Sequence, residues 1–186
     1  MTLCTEQGYA FYLAAGTMLR GWALVAQEAV EEGLAQMGQG LAAYRATGTV
    51  GWQPYSLALL AEAQAKAGRA DEGLSVLAEA FMLVDKTGEQ FYAAELHRLQ
   101  GELLLQQTVP EMQQAETCFH QALDTARSQQ VKSLELRAAM SLSRLWQQQG
   151  KRDEARELLA PIYGWFTEGF DTADLQEAKA LLDALV

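Results

Sequence analysis

FYAAELHRLQGELLLQQTVPEMQQAETCFHQALDTARSQQ, residues 91–130, reads as one complete helix-turn-helix unit. Its first half sets Leu96, Leu99, Leu103 and Leu104 at helical spacing around a bare Gly101. Its second half sets Ala115, Cys118, Phe119, Ala122 and Leu123 at the same period, after a break at Pro110. Small residues therefore stand where the two helices would have to touch.

Sliding this unit along the chain gives a register. Gly21, Ala61, Gly101 and Ser143 recur at spacings of 40, 40 and 42 residues, each in the middle of a first helix. Gly33, Gly73, Ala115 and Ala155 recur at 40, 42 and 40 in the second helices; a large residue follows each four positions on (Met37, Leu77, Phe119, Leu159), then Gly40, Ala80, Ala122 and Ile162. Two antiparallel helices approach closely only where side chains are small, and a hairpin that cannot bury its apolar face alone gains a core by stacking on the next.

The breaks agree. Gly68, Pro110 and Gly150 separate first from second helices, and Thr47-Gly48, Thr87-Gly88, Gln129-Gln130 and Gly169 separate repeats. Glu28 holds the corresponding place in the first repeat without a breaker, yet the match of Val30–Leu34 to Ala70–Leu74 predicts a turn there too. The spacing predicts helices over 5–26, 29–46, 53–67, 70–86, 90–107, 111–128, 132–149 and 152–166, with the turn at Thr108-Val109-Pro110 projecting outward. A ninth helix over 172–185 is expected to open on Thr172 as N-cap and to bury Leu175, Ala178, Leu181, Leu182 and Leu185 as a capping stripe. Pro161 predicts a kink near Ala160, and Tyr163, Trp165, Phe166 and Phe170 are expected to pack under the last helix. The expected fold is all-α: a right-handed α-solenoid in one domain, residues 1–186, of four hairpins (5–48, 49–88, 89–130, 131–170) plus the capping helix.

Composition narrows the function. Ala, Leu, Gln and Glu dominate, which favours helix throughout. A net charge of -10 without a basic run argues against a nucleic-acid partner. The apolar stretch from Tyr9 to Val25 is interrupted by Gly16, Arg20 and Gly21, so neither a membrane span nor a signal peptide is read there. Cys4 and Cys118 make no disulfide framework, no CxxC and no zinc pattern, which fits a reducing cytoplasm. The first helix crowds Tyr9, Phe11, Tyr12, Met18 and Trp22 with few charges. That face is expected either to continue a longer array, of which this chain would be a C-terminal piece, or to be covered by a second copy as a homodimer.

The pattern resembles the tetratricopeptide repeat (TPR), most closely at Gly101, Ala115, Phe119 and Ala122, although the unit of 40–42 residues exceeds the usual length of about 34. Ala94–Leu104, Ser133–Ala139 and Tyr163–Thr172 further resemble the C-terminal repeat region of multidomain bacterial proteins that join an adenylate or guanylate cyclase, or another effector, to an ATPase module. The resemblance implies a repeat arm without the catalytic domain. No G-x-x-x-x-G-K-[ST] loop and no G-x-S-x-G elbow occurs. Glu116 and His120 share a helix face but form no metal site; Cys118 is read as a core filler and His120 as a surface or packing residue. Glu31/Glu32 and Asp71/Glu72 are read as first-turn acids. No enzyme activity, metal or cofactor is expected.

In TPR-like arrays the first helices line the concave face. That projection implies a partner-binding set of Trp22, Tyr55, Glu62, Lys66, Glu95, Arg98, Glu102, Arg137 and Arg144, with Met18, Ala58, Gln106, Met140 and Gln148 beside them. Arg98, Arg137 and Arg144 are suited to partner carboxylates, and Trp22 and Tyr55 to aromatic anchoring. The bland alternative is a solvated face of internal Glu–Arg pairs. The reading is a non-catalytic module that binds a protein segment or neighbouring domains of a bacterial signalling protein; the alternative is a small-molecule-sensing regulatory domain. Charge reversal at Arg98 or Arg137 is expected to weaken a partner without changing thermal stability.

Overall fold

The computed structural model describes residues 8–186; Cys4 and the predicted helical residues 5–7 lie outside them. The described residues fold into helices without a strand: α1 (Ala10–Ala26), α2 (Val30–Ala46), α3 (Gln53–Lys66), α4 (Ala70–Thr87), α5 (Ala93–Gln106), α6 (Met112–Ser128), α7 (Lys132–Gln148), α8 (Arg152–Tyr163) and α9 (Ala173–Ala184). The chain divides after Gln90 into two compact units. In the first, α1 packs on α2 and α3 on α4, with α3 also against α1 and α2. In the second, α5 packs on α6 and α7 on α8, α7 also touches α5 and α6, and α9 closes onto α7 and α8.

Small residues set the crossings. A Cβ on Gly21 would lie 2.7 Å from the Gly33 carbonyl oxygen, and one on Gly33 would lie 2.6 Å from the Gly21 carbonyl oxygen, so α1 and α2 meet backbone to backbone. In α5 the space beside Gly101 is taken by the Phe119 ring. Ser143 uses the same place differently: its hydroxyl donates to the Ala155 carbonyl, 3.1 Å away, between α7 and α8. Met37, Leu77, Phe119 and Leu159, the large residues one turn on, are all sealed from solvent. Each contributes about 1.5–3 kcal/mol of burial.

The predicted turn at Glu28 is present. Glu28 takes a left-handed φ of 69°, beside 70° for Gly68 and 80° for Gly150 at the equivalent places. A side chain is disfavoured in that conformation by roughly 1–2 kcal/mol. Glu28→Gly is therefore expected to raise stability by about 1 kcal/mol, net of glycine's chain entropy, in urea denaturation. Thr108, Val109 and Pro110 are exposed, Val109 at 77 %.

Three details depart from expectation. Among the described residues Gly8, at a φ of 70°, and Tyr9 are not helical and α1 starts at Ala10, and α5 begins at Ala93 because Phe91 and Tyr92 belong to the preceding turn. Pro161 stands in the last turn of α8, which ends at Tyr163 rather than 166. Beyond it the N–H groups of Trp165 and Phe166 bond back only three residues, to Ile162 and Tyr163, the tightened pattern of a helix end.

The aromatic tail is not core. Trp165 is 58 % and Phe170 47 % exposed; the rings pair among themselves, Tyr163 with Phe170 at 5.9 Å and Trp165 with Phe166 at 5.2 Å, and Lys132 Nζ sits 5.8 Å from the Trp165 ring centroid. Leu175, Ala178, Leu181 and Leu185 bury α9 by themselves, with Leu182 half-buried. Thr172 occupies the N-cap position, but its hydroxyl donates to the Gly169 carbonyl instead of accepting from the helix. Cys118 is a buried free thiol in the core, as expected, and burial pushes its pKa up. No group of three metal-ligating side chains occurs among the described residues. No described helix is long and apolar enough to cross a membrane.

Candidate functional site

The register sets the predicted side chains in columns. Trp22, Glu62, Glu102 and Arg144 stand one residue after the small residue of each first helix; Ala15, Tyr55, Glu95 and Arg137 stand six before it. Of these, Trp22 meets Glu62 and Glu95 meets Arg137 across consecutive first helices.

In the first unit the Trp22 indole N–H on α1 donates to Glu62 Oε2 on α3 at 3.1 Å. Lys66, one turn further along α3, lies 3.3 Å from Glu62 Oε1 and 5.4 Å from the centroid of the Trp22 ring. An ammonium over an indole face, with a carboxylate bridging both, holds three predicted residues as one cluster. Tyr55 lies apart from it, its ring 6.1 Å from that of Trp52.

Trp52 was not foreseen, and neither was the cavity it borders. A solvent-open cavity of about 490 Å³ is lined by Phe11, Tyr12, Ala15, Met18, Leu19, Tyr44, Trp52, Tyr55, Ser56 and Leu59. The register explains why it is here. Ala15 is too short to reach across to Tyr55, and Tyr12 and Trp52, at another shared position, are 64 % and 59 % exposed. Tyr44 forms the floor, its hydroxyl donating to the Gly51 carbonyl.

In the second unit the same positions are filled. Glu95 Oε1 on α5 receives Arg137 from α7 at 2.9 Å. Arg98 donates to both Glu95 oxygens, at 3.0 and 2.7 Å, and also reaches Glu102 Oε1 at 3.3 Å. The Ser141 hydroxyl donates to that Glu102 oxygen at 2.6 Å. Glu95 is 2 % and Arg98 9 % exposed, so this is a buried, mutually satisfied network rather than a row of separate charges. The stability-neutral reversal expected of Arg98 does not fit that burial, because the Glu95 carboxylate would lose its bidentate partner. Ser141 occupies a position held elsewhere by Leu19, Leu59 and Leu99, a polar residue in an apolar column that signalled the network. Arg144 stands outside it, paired at 2.8 Å with Glu177 of α9, both exposed.

Ala58 and Met140, expected beside the groove, are buried, as is Met18. Gln106 and Gln148 are exposed helix-end residues.

Two further carboxylates carry shifted titrations. The Trp146 indole N–H donates to Glu116 at 2.7 Å, and this bond, aided by Lys151, Gln149 and His120 against the opposing effect of burial, lowers the Glu116 pKa. Glu135, 4 % exposed, lies between Arg127 Nε at 2.9 Å and Lys132 Nζ at 2.6 Å. Burial works to raise its pKa, but the two bonds and the charges behind them prevail and lower it. A carboxylate depressed in the fold stabilises above its unfolded pKa, and that contribution is lost as pH falls through the folded value. Glu135→Gln is therefore expected to lower the melting temperature at neutral pH and to flatten its decline in acid, which melting curves across that range will read. His97 is half-buried and its pKa is lowered by desolvation; His120 is exposed, its ring 6.0 Å from Trp146.

No protein-family model matches the sequence, and no curated protein matches it. Solved structures do resemble it. A crystal structure of a Podosopora anserina chain described as a kinesin light chain with nearly identical TPR-like repeats superposes with a TM-score of 0.67 at 18 % identity, over 92 % of this chain and 84 % of that one. A single-substitution variant of the same protein gives 0.68 at 17 % identity over the same shares. At such identity the likeness bears on the fold alone, and the fold it shows, with the helices above, is a TPR-like α-solenoid.

Proposed function

We propose that the chain is a non-catalytic interaction module that binds a segment of a protein partner, or of neighbouring domains, along the first-helix faces of its hairpins. The observation that carries this is preorganisation. Trp22, Glu62 and Lys66 in one unit, and Glu102 and Arg137 in the other, are held by contacts within and between consecutive first helices, the latter two through the buried Glu95 and Arg98 and through Ser141. Side chains already ordered lose little freedom on binding. The TPR-like fold supports the same reading, and Arg144, exposed at the edge of its unit, supplies a guanidinium for a partner carboxylate. The stretches Ala94–Leu104, Ser133–Ala139 and Tyr163–Thr172 support a setting in a bacterial cytoplasmic signalling protein, as the arm attached to an effector.

The test is an immobilised array of peptides that varies acidic and aromatic content, followed by titration of the best binder. Acidic peptides with an aromatic anchor are expected to bind, and Trp22→Ala is expected to weaken them about tenfold, the size of a modest aromatic hot spot. Binding indifferent to both Trp22→Ala and the peptide's acidic residues would sink the proposal.

A further inference from the structure

We propose that the cavity of the first unit is a binding site for a small, uncharged, largely aromatic molecule, distinct from the charged faces assigned to a partner segment. Its volume of about 490 Å³ lies in the ordinary range of ligand sites, roughly 300–1,000 Å³. No charged side chain lines it among the described residues, whose polar side-chain groups there are the hydroxyls of Tyr12, Tyr44, Tyr55 and Ser56 and the indole N–H of Trp52. Tyr44 already spends its proton on the Gly51 carbonyl. A peptide would bring a backbone donor and acceptor with every residue, and these few side-chain groups cannot satisfy them all. Neither an anion nor a cation finds an opposite charge among the described residues of the wall, so a charged ligand would lose its hydration there without a partner. Burial, reinforced by Glu89, raises the Tyr44 pKa, so the floor itself stays neutral.

Trp52 gives the second, independent observation. Its φ of 67° is left-handed, a conformation that a bulky L-residue resists. Both Glu89 oxygens accept its N–H, at 2.9 and 3.1 Å, while Tyr44 grips the Gly51 carbonyl immediately before it. The backbone is thus fixed in an unfavourable state from both sides, and the ring it aims remains 59 % exposed. The ring's edge-to-face contact with Tyr55 covers part of it, and a flat ligand laid over the exposed remainder, within the cleft it shares with Tyr12, would bury more of the ring and help offset that strain. The second unit shows what a filled version looks like: Tyr92 and Leu134, the register equivalents of Tyr12 and Trp52, belong to a packed apolar cluster with Ala94 and Ala126.

N-phenyl-1-naphthylamine, neutral and emissive in apolar surroundings, is the probe, titrated into the full chain beside its anionic relative 1-anilinonaphthalene-8-sulfonate. Saturable binding of one neutral molecule per chain is expected, with the sulfonate at least about tenfold weaker. Trp52→Gly removes the wall and relieves the left-handed backbone, so the variant is expected to melt no lower than wild type while binding the neutral probe about tenfold more weakly. Leu19→Glu, on the exposed rim, serves as a second variant and is expected to weaken it similarly. The proposal is overturned if the neutral probe does not saturate, if both probes bind alike, or if both variants bind like wild type. A dimer in sedimentation that Trp52→Gly or Leu19→Glu splits would also overturn it, because the occupant would then be a second copy of this chain.

Discussion

Gly33→Ala is expected to destabilise the protein by about 2–3 kcal/mol, although alanine is the better helix former by about 1 kcal/mol. The added Cβ would lie 2.6 Å from the Gly21 carbonyl oxygen and 2.8 Å from the Val25 amide nitrogen. Both are backbone atoms of α1, so no side-chain rotation relieves the overlap and the two helices must part. Gly38, on the same helix, provides the control. Nothing lies within 4 Å of its Cβ position and it is exposed, so Gly38→Ala is expected to stabilise by about 0.5–1 kcal/mol. Urea denaturation of the two variants reads opposite signs from one chemical change. Equal effects at Gly33 and Gly38 would mean that propensity, not close approach, sets the hairpin.

Arg98→Ala is expected to cost about 3 kcal/mol, because it strands a nearly sealed Glu95 carboxylate. Arg137, 2.9 Å from that carboxylate, keeps the loss below the upper end for a buried pair broken on one side. Removing both charges, as Glu95→Gln with Arg98→Met, is expected to recover most of the loss, since an apolar replacement of similar volume does not have to be desolvated as an ion. A double-mutant cycle measured by denaturation gives the coupling. Additive single losses would show that the two groups do not act as a pair.

Much of this architecture was written in the spacing. Gly21, Gly33 and Gly101 marked the contact points, and even the turn at Glu28, without a breaker, followed from the match of the residues after it. Burial within the first-helix faces was harder to see. Arg98 looks like a surface charge, yet its register equivalents are Met18, Ala58 and Met140, so the fold treats the position as core and needs Glu95, Glu102 and Ser141 around it. That signal was present in the columns of the repeat but is invisible in any one helix. Trp52 escaped for a different reason: its left-handed backbone is imposed by Glu89, whose carboxylate closes on it from 37 residues away. The aromatic tail failed because hydrophobicity alone predicts burial, whereas α9 fills its contact with α7 and α8 from its own leucine stripe and leaves Trp165 and Phe170 outside.

Binding of a partner segment along the first-helix faces is tested by charge reversal at positions that the fold does not need. Lys66 and Arg144 are both exposed at the side chain, each in a surface ion pair whose contribution to stability is about 0–1 kcal/mol. Calorimetric titration of the best array peptide into Lys66→Glu and Arg144→Glu is the measurement. At least one reversal is expected to weaken binding about tenfold or more, with melting temperatures near wild type. Full affinity in both variants, with the fold intact, would show that these faces do not bind the peptide.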